Sequence, residues 1–427
     1  MLSATGPTPL VRNASALMLS TVATSLLGIG FWAVAARTYT TADVGVASAE
    51  VSAMVLLANI SQLNLINIFP RFLQNAGSLT RRFVCAGYLA AGCLALLTAS
   101  IFVLCGLGKS YLPSTAGAGI LFVAAVLCWT IFTIQDAALT GLRGTMWIPV
   151  ENISFSLVKI ALLPVFVGAM AWSGIFAAWM LPVVLASIPV NYFLFRRLIP
   201  RHLDVSGGRH QLPVRRELGI FVAGEYVGSL AQNAGSLILP LLVVARLGPT
   251  VNAYFYTSWI VATSFDLLLN NIATSMIVEG SAEPSELRAH TIRAVRLGII
   301  VVLPCIIISI IGAPFFLGLL GPQYAANGTT LFRLVALAMP FRAVVILFMS
   351  YARLVRRIRR VVIVQLVNAA LLLGLSLALL EPLGISGVGY AYLVAQLLLA
   401  AAVLPSVLRQ FARAKKSTPE VAGTSVA

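Results

Sequence analysis

The sequence predicts an all-α polytopic membrane protein of about twelve transmembrane helices, in two six-helix lobes with both termini cytoplasmic. Three observations predict it. Of 427 residues, 59% are hydrophobic and only 10% are charged, whereas soluble chains carry about 25% charged residues. The apolar residues gather into runs that each fit a span of roughly 20 residues. The basic residues alternate from one side of those runs to the other. This composition excludes an ordinary soluble enzyme, and also a disordered chain, which is charged and poor in apolar residues.

The runs lie near 14–36, 44–69, 83–108, 116–139, 151–171 and 173–195, then near 218–245, 250–278, 294–320, 328–352, 361–380 and 384–408. Met1 to Val11 has no basic start and no cleavage site, so the first run is expected to stay as a span. The fifth and sixth runs are joined by little more than Ala171-Trp172-Ser173-Gly174. Prolines inside runs (Pro164, Pro182, Pro189, Pro240, Pro304, Pro314, Pro340) kink or break helices, as transporters tolerate where the freed backbone faces a cavity.

Charge tests the count. With the N-terminus inside, 23 of the 29 Lys and Arg fall on cytoplasmic segments and three, Arg37, Lys109 and Arg246, fall outside. The remaining three, Lys159, Arg333 and Arg342, lie within spans. A wrong count would scramble this alternation. The net charge of +16 would suggest nucleic acid in a soluble protein; here it reports topology, and no nucleic-acid partner is expected.

The longest connection, 196–217, is basic and contains Gly207-Gly208. It divides an N-terminal lobe (1–195) from a C-terminal lobe (218–408), with a cytoplasmic tail over 409–427. The halves echo each other. Ala36-Arg37, Thr41 and Asp43 match Ala245-Arg246, Thr250 and Asn252 at an offset of 209. Ser173-Gly174-Ile175 through Trp179 matches Ser386-Gly387-Val388 through Tyr392 at an offset of 213. Six is even, so the halves enter the membrane in the same sense, as parallel repeats with a site expected between them.

Asn13-Ala-Ser-Ala, Leu26-Leu-Gly-Ile-Gly-Phe-Trp-Ala-Val-Ala-Ala-Arg37, Thr41-Ala-Asp-Val-Gly45 and Phe69-Pro-Arg71-Phe resemble the opening of the polysaccharide transporter family. That family belongs to the multidrug/oligosaccharidyl-lipid/polysaccharide exporter superfamily. Leu383-Gly-Ile-Ser-Gly-Val-Gly-Tyr-Ala-Tyr392 is similar to the family's approach to its last span, and Gly141-Leu-Arg143 fits its fourth-to-fifth loop less specifically. The resemblance implies two lobes around a central cavity that opens alternately to each side. It also implies a bacterial plasma-membrane flippase for undecaprenyl-diphosphate-linked sugars. The chain departs from the superfamily's lipid II flippases, which place arginines deep in the first lobe. Its first two spans have Arg12 and Arg71 at the cytoplasmic ends, Arg37 at the outer end, and none at depth.

Ionisable groups in spans are expensive, so each needs a reason. Glu50, Asn59, Gln62, Asn64 and Asn67 lie on the second run, with Asn64 and Asn67 on one face. Glu225 and Gln232 share a face of the seventh; Asp266, Asn270 and Asn271 cluster on the eighth. These line a wet, sugar-binding cavity, or they glue helices together. Arg342, the deepest cation of the second half, either contacts an anion or pairs with an acid such as Asp266. Arg12 and Arg71 are candidate anion contacts at the cytoplasmic mouth. Asp136, Glu151 and Lys159 form a structural network between spans four and five, or a proton or anion path. Tyr254, Tyr256, Trp259, Trp172 and Trp179 suit an interfacial belt or sugar stacking, and Arg353 to Arg360 a topology anchor or a contact with anionic lipid.

No metal or cofactor is expected. The chain has no phosphate-binding Gly-x-x-x-x-Gly-Lys-Ser/Thr and no His-Glu-x-x-His. Its five cysteines and three histidines lack ligand spacing. An enzyme is not expected. The leading expectation is a flippase for a polyprenyl-diphosphate-linked oligosaccharide or polysaccharide precursor, with membrane lipids and saccharide-synthesis proteins as further partners. Two alternatives stand beside it: a cation-coupled exporter of small molecules, and a non-transporting scaffold for a saccharide-synthesis complex.

Overall fold

Backbone in a medium without water must satisfy its hydrogen bonds within its own segment, and the chain is helical accordingly. The computed structural model describes residues 9–144, 147–167, 173–206, 215–264, 266, 269–270, 287–355 and 357–416, with no strand among them. Trp172, Gly207-Gly208 and Asn271, and the side chain of Arg12, lie outside the described parts.

The first half contains α1 (Pro9–Thr38), α2 (Thr41–Ser61), α3 (Leu65–Phe72), α4 (Thr80–Leu104), α5 (Ala116–Gly141), α6 (Trp147–Phe166), α7 (Gly174–Phe193) and the short α8 (Ile199–Ser206). The second half contains α9 (Arg215–Leu247), α10 (Pro249–Thr263), α11 (Leu287–Gly318), α12 (Pro322–Leu354), α13 (Ile358–Leu383) and α14 (Ile385–Lys416). Among the described residues, nine helices are long and apolar enough to cross a bilayer. With α1, α10 and α11 they account for about twelve spans, and the chain is a multi-pass membrane protein.

The second run is not one helix. It stops at Ser61, and Leu63 and Asn64 take left-handed backbone conformations, with φ of 50° and 59°, before α3 restarts it. Asparagine tolerates that region because its short amide bonds locally; leucine does not. No glycine or proline marks the break, so the apolar pattern runs straight through it.

Helix pairing repeats between the halves. In the first, α1 packs on α6, α4 on α5, α5 on α2 and α7, and α6 on α7. In the second, α9 packs on α13, α11 on α12, α12 on α10 and α14, and α13 on α14. These are the same pairs in the same order. The duplicated Ser-Gly has a steric reason at the tight turns before α7 and within the first turn of α14. A Cβ on Gly174 would come 3.1 Å from the Phe166 carbonyl oxygen, and one on Gly387 would come 2.1 Å from that of Leu379.

The lobes meet along α2, which packs on both α10 and α9. At the outer end the seam is tight. The Asn252 amide, fully buried, donates to the Gly45 carbonyl at 2.8 Å and to Ser48 Oγ at 3.0 Å. Arg37 Nε donates to the Leu319 carbonyl at 2.7 Å. Deeper, Trp32 of α1 packs edge-on against Tyr256 of α10 at 4.8 Å. Toward the cytoplasmic end the Tyr226 hydroxyl donates across the seam to the Ile60 carbonyl. Below it the lobes part around a polar cavity.

Candidate functional site

That cavity, of about 300 Å³, lies between α3, α9, the end of α12 and the start of α13. Glu225, Ser229 and Gln232 recur at spacings of four and three on α9, which puts them on one face, and all three line it. Gln365 Nε2 donates to Gln232 Oε1 at 2.7 Å. Asn67 closes the first-lobe side and Arg353 the second-lobe side. Arg71 and Arg353, one from each lobe, both act electrostatically on the Glu225 carboxylate. The sequence pattern placed Glu225 and Gln232 together. It gave no sign of Gln365, and Arg353 read as a topology anchor, because helix spacing reports a shared face and not the neighbour opposite.

The amides of the second run pair with one another, while Gln62 Oε1 and Asn64 Nδ2 have no hydrogen-bond partner among the described residues. Gln62 donates to Asn59 at 2.6 Å, and Asn67 to Asn64 at 2.7 Å. Both pairs brace the break between α2 and α3.

A second polar centre lies inside the C-terminal lobe. Arg342 Nε stands 3.5 Å from Asp266 Oδ2, so of the two roles open to Arg342 the structure contains the pair. It is an ion pair at long range: Asp266 Oδ1 and Arg342 Nε have no hydrogen-bond partner among the described residues. Tyr392 feels both charges, and its hydroxyl is unpartnered too. Its ring packs edge-on against Trp259 at 5.3 Å. Asn270 turns back to the Asp266 carbonyl at 2.7 Å.

Glu50 does not face the seam. Gly45, Ser48 and Ser52 form the α2 stripe toward α10, and Tyr256 lies against Ser52. Glu50 is two residues from Ser48, about 200° around the helix. It points instead into the first lobe, 2% exposed, and its Oε2 has no hydrogen-bond partner among the described residues. Tyr111, on the α4–α5 connection, senses its charge; burial first and Glu50 second raise the phenol above its ordinary pKa.

The expected Asp136–Glu151–Lys159 network is divided. Gln135 donates to Glu151, Asn191 to Gln135 at 2.6 Å, and Tyr88 to Asn191 at 3.0 Å, while Asn152 donates to Asp136 at 3.1 Å. Lys159 stands apart. Its ammonium lies over Trp179 at 3.7 Å, Phe155 at 4.7 Å and Phe31 at 5.1 Å. Such contacts contribute up to about 2 kcal/mol when desolvated. Lys159→Met keeps a long polarizable chain against the same rings, so thermal unfolding in detergent should show a stability change below about 2 kcal/mol.

The aromatic residues also differ from expectation. Tyr256 and Trp259 are 9% and 3% exposed and belong to the core, which rules out a headgroup belt for them. Arg12 is on α1, but its side chain lies outside the description. Among the described residues, no cluster of three or more His, Cys, Asp or Glu is arranged to hold a metal.

No family model matches the sequence, and no curated protein does. Solved structures do. An inward-facing multidrug resistance MATE family transporter of the MOP superfamily matches with a TM-score of 0.67 and 14% identity, over 92% of this chain and 96% of that one. An outward-facing multidrug resistance MATE family transporter gives 0.62 and 14%, over 96% of each chain. The lipid II flippase MurJ in an inward closed conformation gives 0.68 and 10%, over 93% of this chain and 89% of that one. The chain shares the fold of these transporter structures, a likeness visible in its structure and not in the identity of its residues.

Proposed function

We propose that the chain is a flippase that carries a polyprenyl-diphosphate-linked oligosaccharide or polysaccharide precursor across the bacterial plasma membrane by alternating access. The observation that carries this reading is the chemistry of the cytoplasmic cavity. Asn67, Ser229, Gln232 and Gln365 offer neutral hydrogen-bonding groups beside Arg353, with Arg71 within electrostatic reach. Guanidinium groups suit phosphates, and amides and hydroxyls suit sugars. Glu225 lies within electrostatic reach of both arginines and balances their charge while no cargo is present. A diphosphate carries more charge and displaces it, which loosens the lobes where cargo enters.

A deletion strain tests this directly. Its extracted lipids should accumulate a completed polyprenyl-diphosphate-linked saccharide, and complementation should clear it; an unchanged lipid profile sinks the reading. Arg353→Gln, which removes one charged hydrogen-bond donor, should lower export about tenfold at equal protein level. Quantifying the accumulated precursor checks it.

One observation favours a second reading. Glu50 is a buried carboxylate inside the first lobe, one oxygen of which has no partner among the described residues, the kind of group that carries a proton or sodium ion in a coupled exporter. Cation-dependent efflux of small cationic compounds, lost in Glu50→Gln, would establish it.

A further inference from the structure

We propose that the groove between α6 and α7 binds an anionic phospholipid of the inner leaflet. Its acyl chain lies along the groove and its phosphate among the arginines at the cytoplasmic mouth. The groove holds about 520 Å³ and is lined by Trp147, Val150, Phe155, Val158, Leu185 and Phe193, among others. Trp147, Val150 and Leu185 are 52%, 57% and 56% exposed on helices apolar enough to lie in the bilayer. Pro182 and Pro189 interrupt the backbone bonding of α7. A π-helical turn, Leu194–Leu198, follows it, and the two features leave α7 irregular along the groove.

From Trp147 to Val158 the groove runs about 16 Å along the helix axis, which is half of a hydrocarbon core of roughly 30 Å. That is one leaflet deep. At the cytoplasmic end Trp147 and Phe193 meet at 4.9 Å, and the chain just before α6 and just after α7 exposes Arg143, Arg196, Arg197 and Arg201. Among the described residues no ion pair neutralises any of the four; the nearby acid of α8, Asp204, is exposed. Glu151 sits deeper in the wall, 7% exposed, where it accepts from Gln135 of α5. The occupant is a bilayer lipid and not the cargo, because α6 and α7 pack on α1, α2 and α5 of their own lobe and the groove opens away from the seam.

Native mass spectrometry of the full chain, extracted from vesicles of phosphatidylethanolamine and phosphatidylglycerol, tests the site. Wild type should retain one phosphatidylglycerol in excess of its share in the vesicle. Ala186→Trp, which fills the groove from its lining, should lose that lipid. Arg196→Gln with Arg197→Gln, on the surface, should lower the preference for phosphatidylglycerol roughly fivefold per arginine. Retention that follows the bulk composition in wild type overturns the proposal. So does an unchanged preference in the double arginine variant, or a dimer whose groove carries no lipid. Should Ala186→Trp fail to fold, the arginine variant decides alone. Retention is read without transport, so it stands or falls apart from the flippase reading.

Discussion

Gly45→Ala should hold the outer ends of the lobes apart and largely abolish transport. The added Cβ would sit 1.8 Å from the Pro249 carbonyl oxygen. That atom is backbone at the start of α10, so no side chain can swing away and the helix itself must move. Overpacking of this kind costs about 1–3 kcal/mol, which shifts an equilibrium between two states by roughly 5- to 150-fold. In the proposed cycle the cost falls on the state closed outside, the one in which Gly45 and Pro249 meet here. Folding should be spared while the conformational balance tips. A cysteine at Ser48, shielded at the seam in wild type, should react from outside with a membrane-impermeant maleimide once Gly45→Ala is added. Unchanged labelling with normal export would show that this seam does not move during transport.

Asp266→Ala should be the most destabilising single change in the second lobe. It strands the Arg342 guanidinium, whose side chain is only 12% exposed, among apolar helices. Removing one partner of a buried ion pair costs about 3–5 kcal/mol, whereas replacing both by apolar groups is often neutral. Thermal unfolding in detergent should therefore show a large loss for Asp266→Ala and near-recovery for Asp266→Ala with Arg342→Met. Export should stay low in both if the pair serves the cycle. Full export in the stable double variant would reduce the pair to a structural element.

The span count, the topology and the duplication were legible in the sequence because each rests on a long-range regularity: apolar run length, alternating charge, and a repeated offset. The pairing of Asp266 with Arg342 was legible as one of two options, since an intramembrane charge needs a counter-charge. Directions were harder. Glu50 looked like a cavity residue because it is polar and deep, yet which side of α2 faces the partner lobe is fixed by Asn252 and Gly45, more than 200 residues apart in sequence. Lys159 looked like the partner of Glu151 because the two share a helix face. The aromatic residues that hold its ammonium come from α1, α6 and α7, and an aromatic cage has no spacing signature along one helix. The break at Leu63–Asn64 was invisible for a third reason: no glycine or proline marks it, and the apolar pattern continues on both sides.

Asp43 and Asn252 occupy matching positions in the two halves, yet they are spent differently. Asp43 bonds with Thr40 to cap its own helix, while Asn252 reaches across to the opposite half. A symmetric pair of first halves could not form this clasp. Two copies of the first half would present a carboxylate to a carbonyl oxygen where an amide now donates, acceptor against acceptor. At this contact the halves are no longer interchangeable: one supplies the donor and the other the carbonyl it needs.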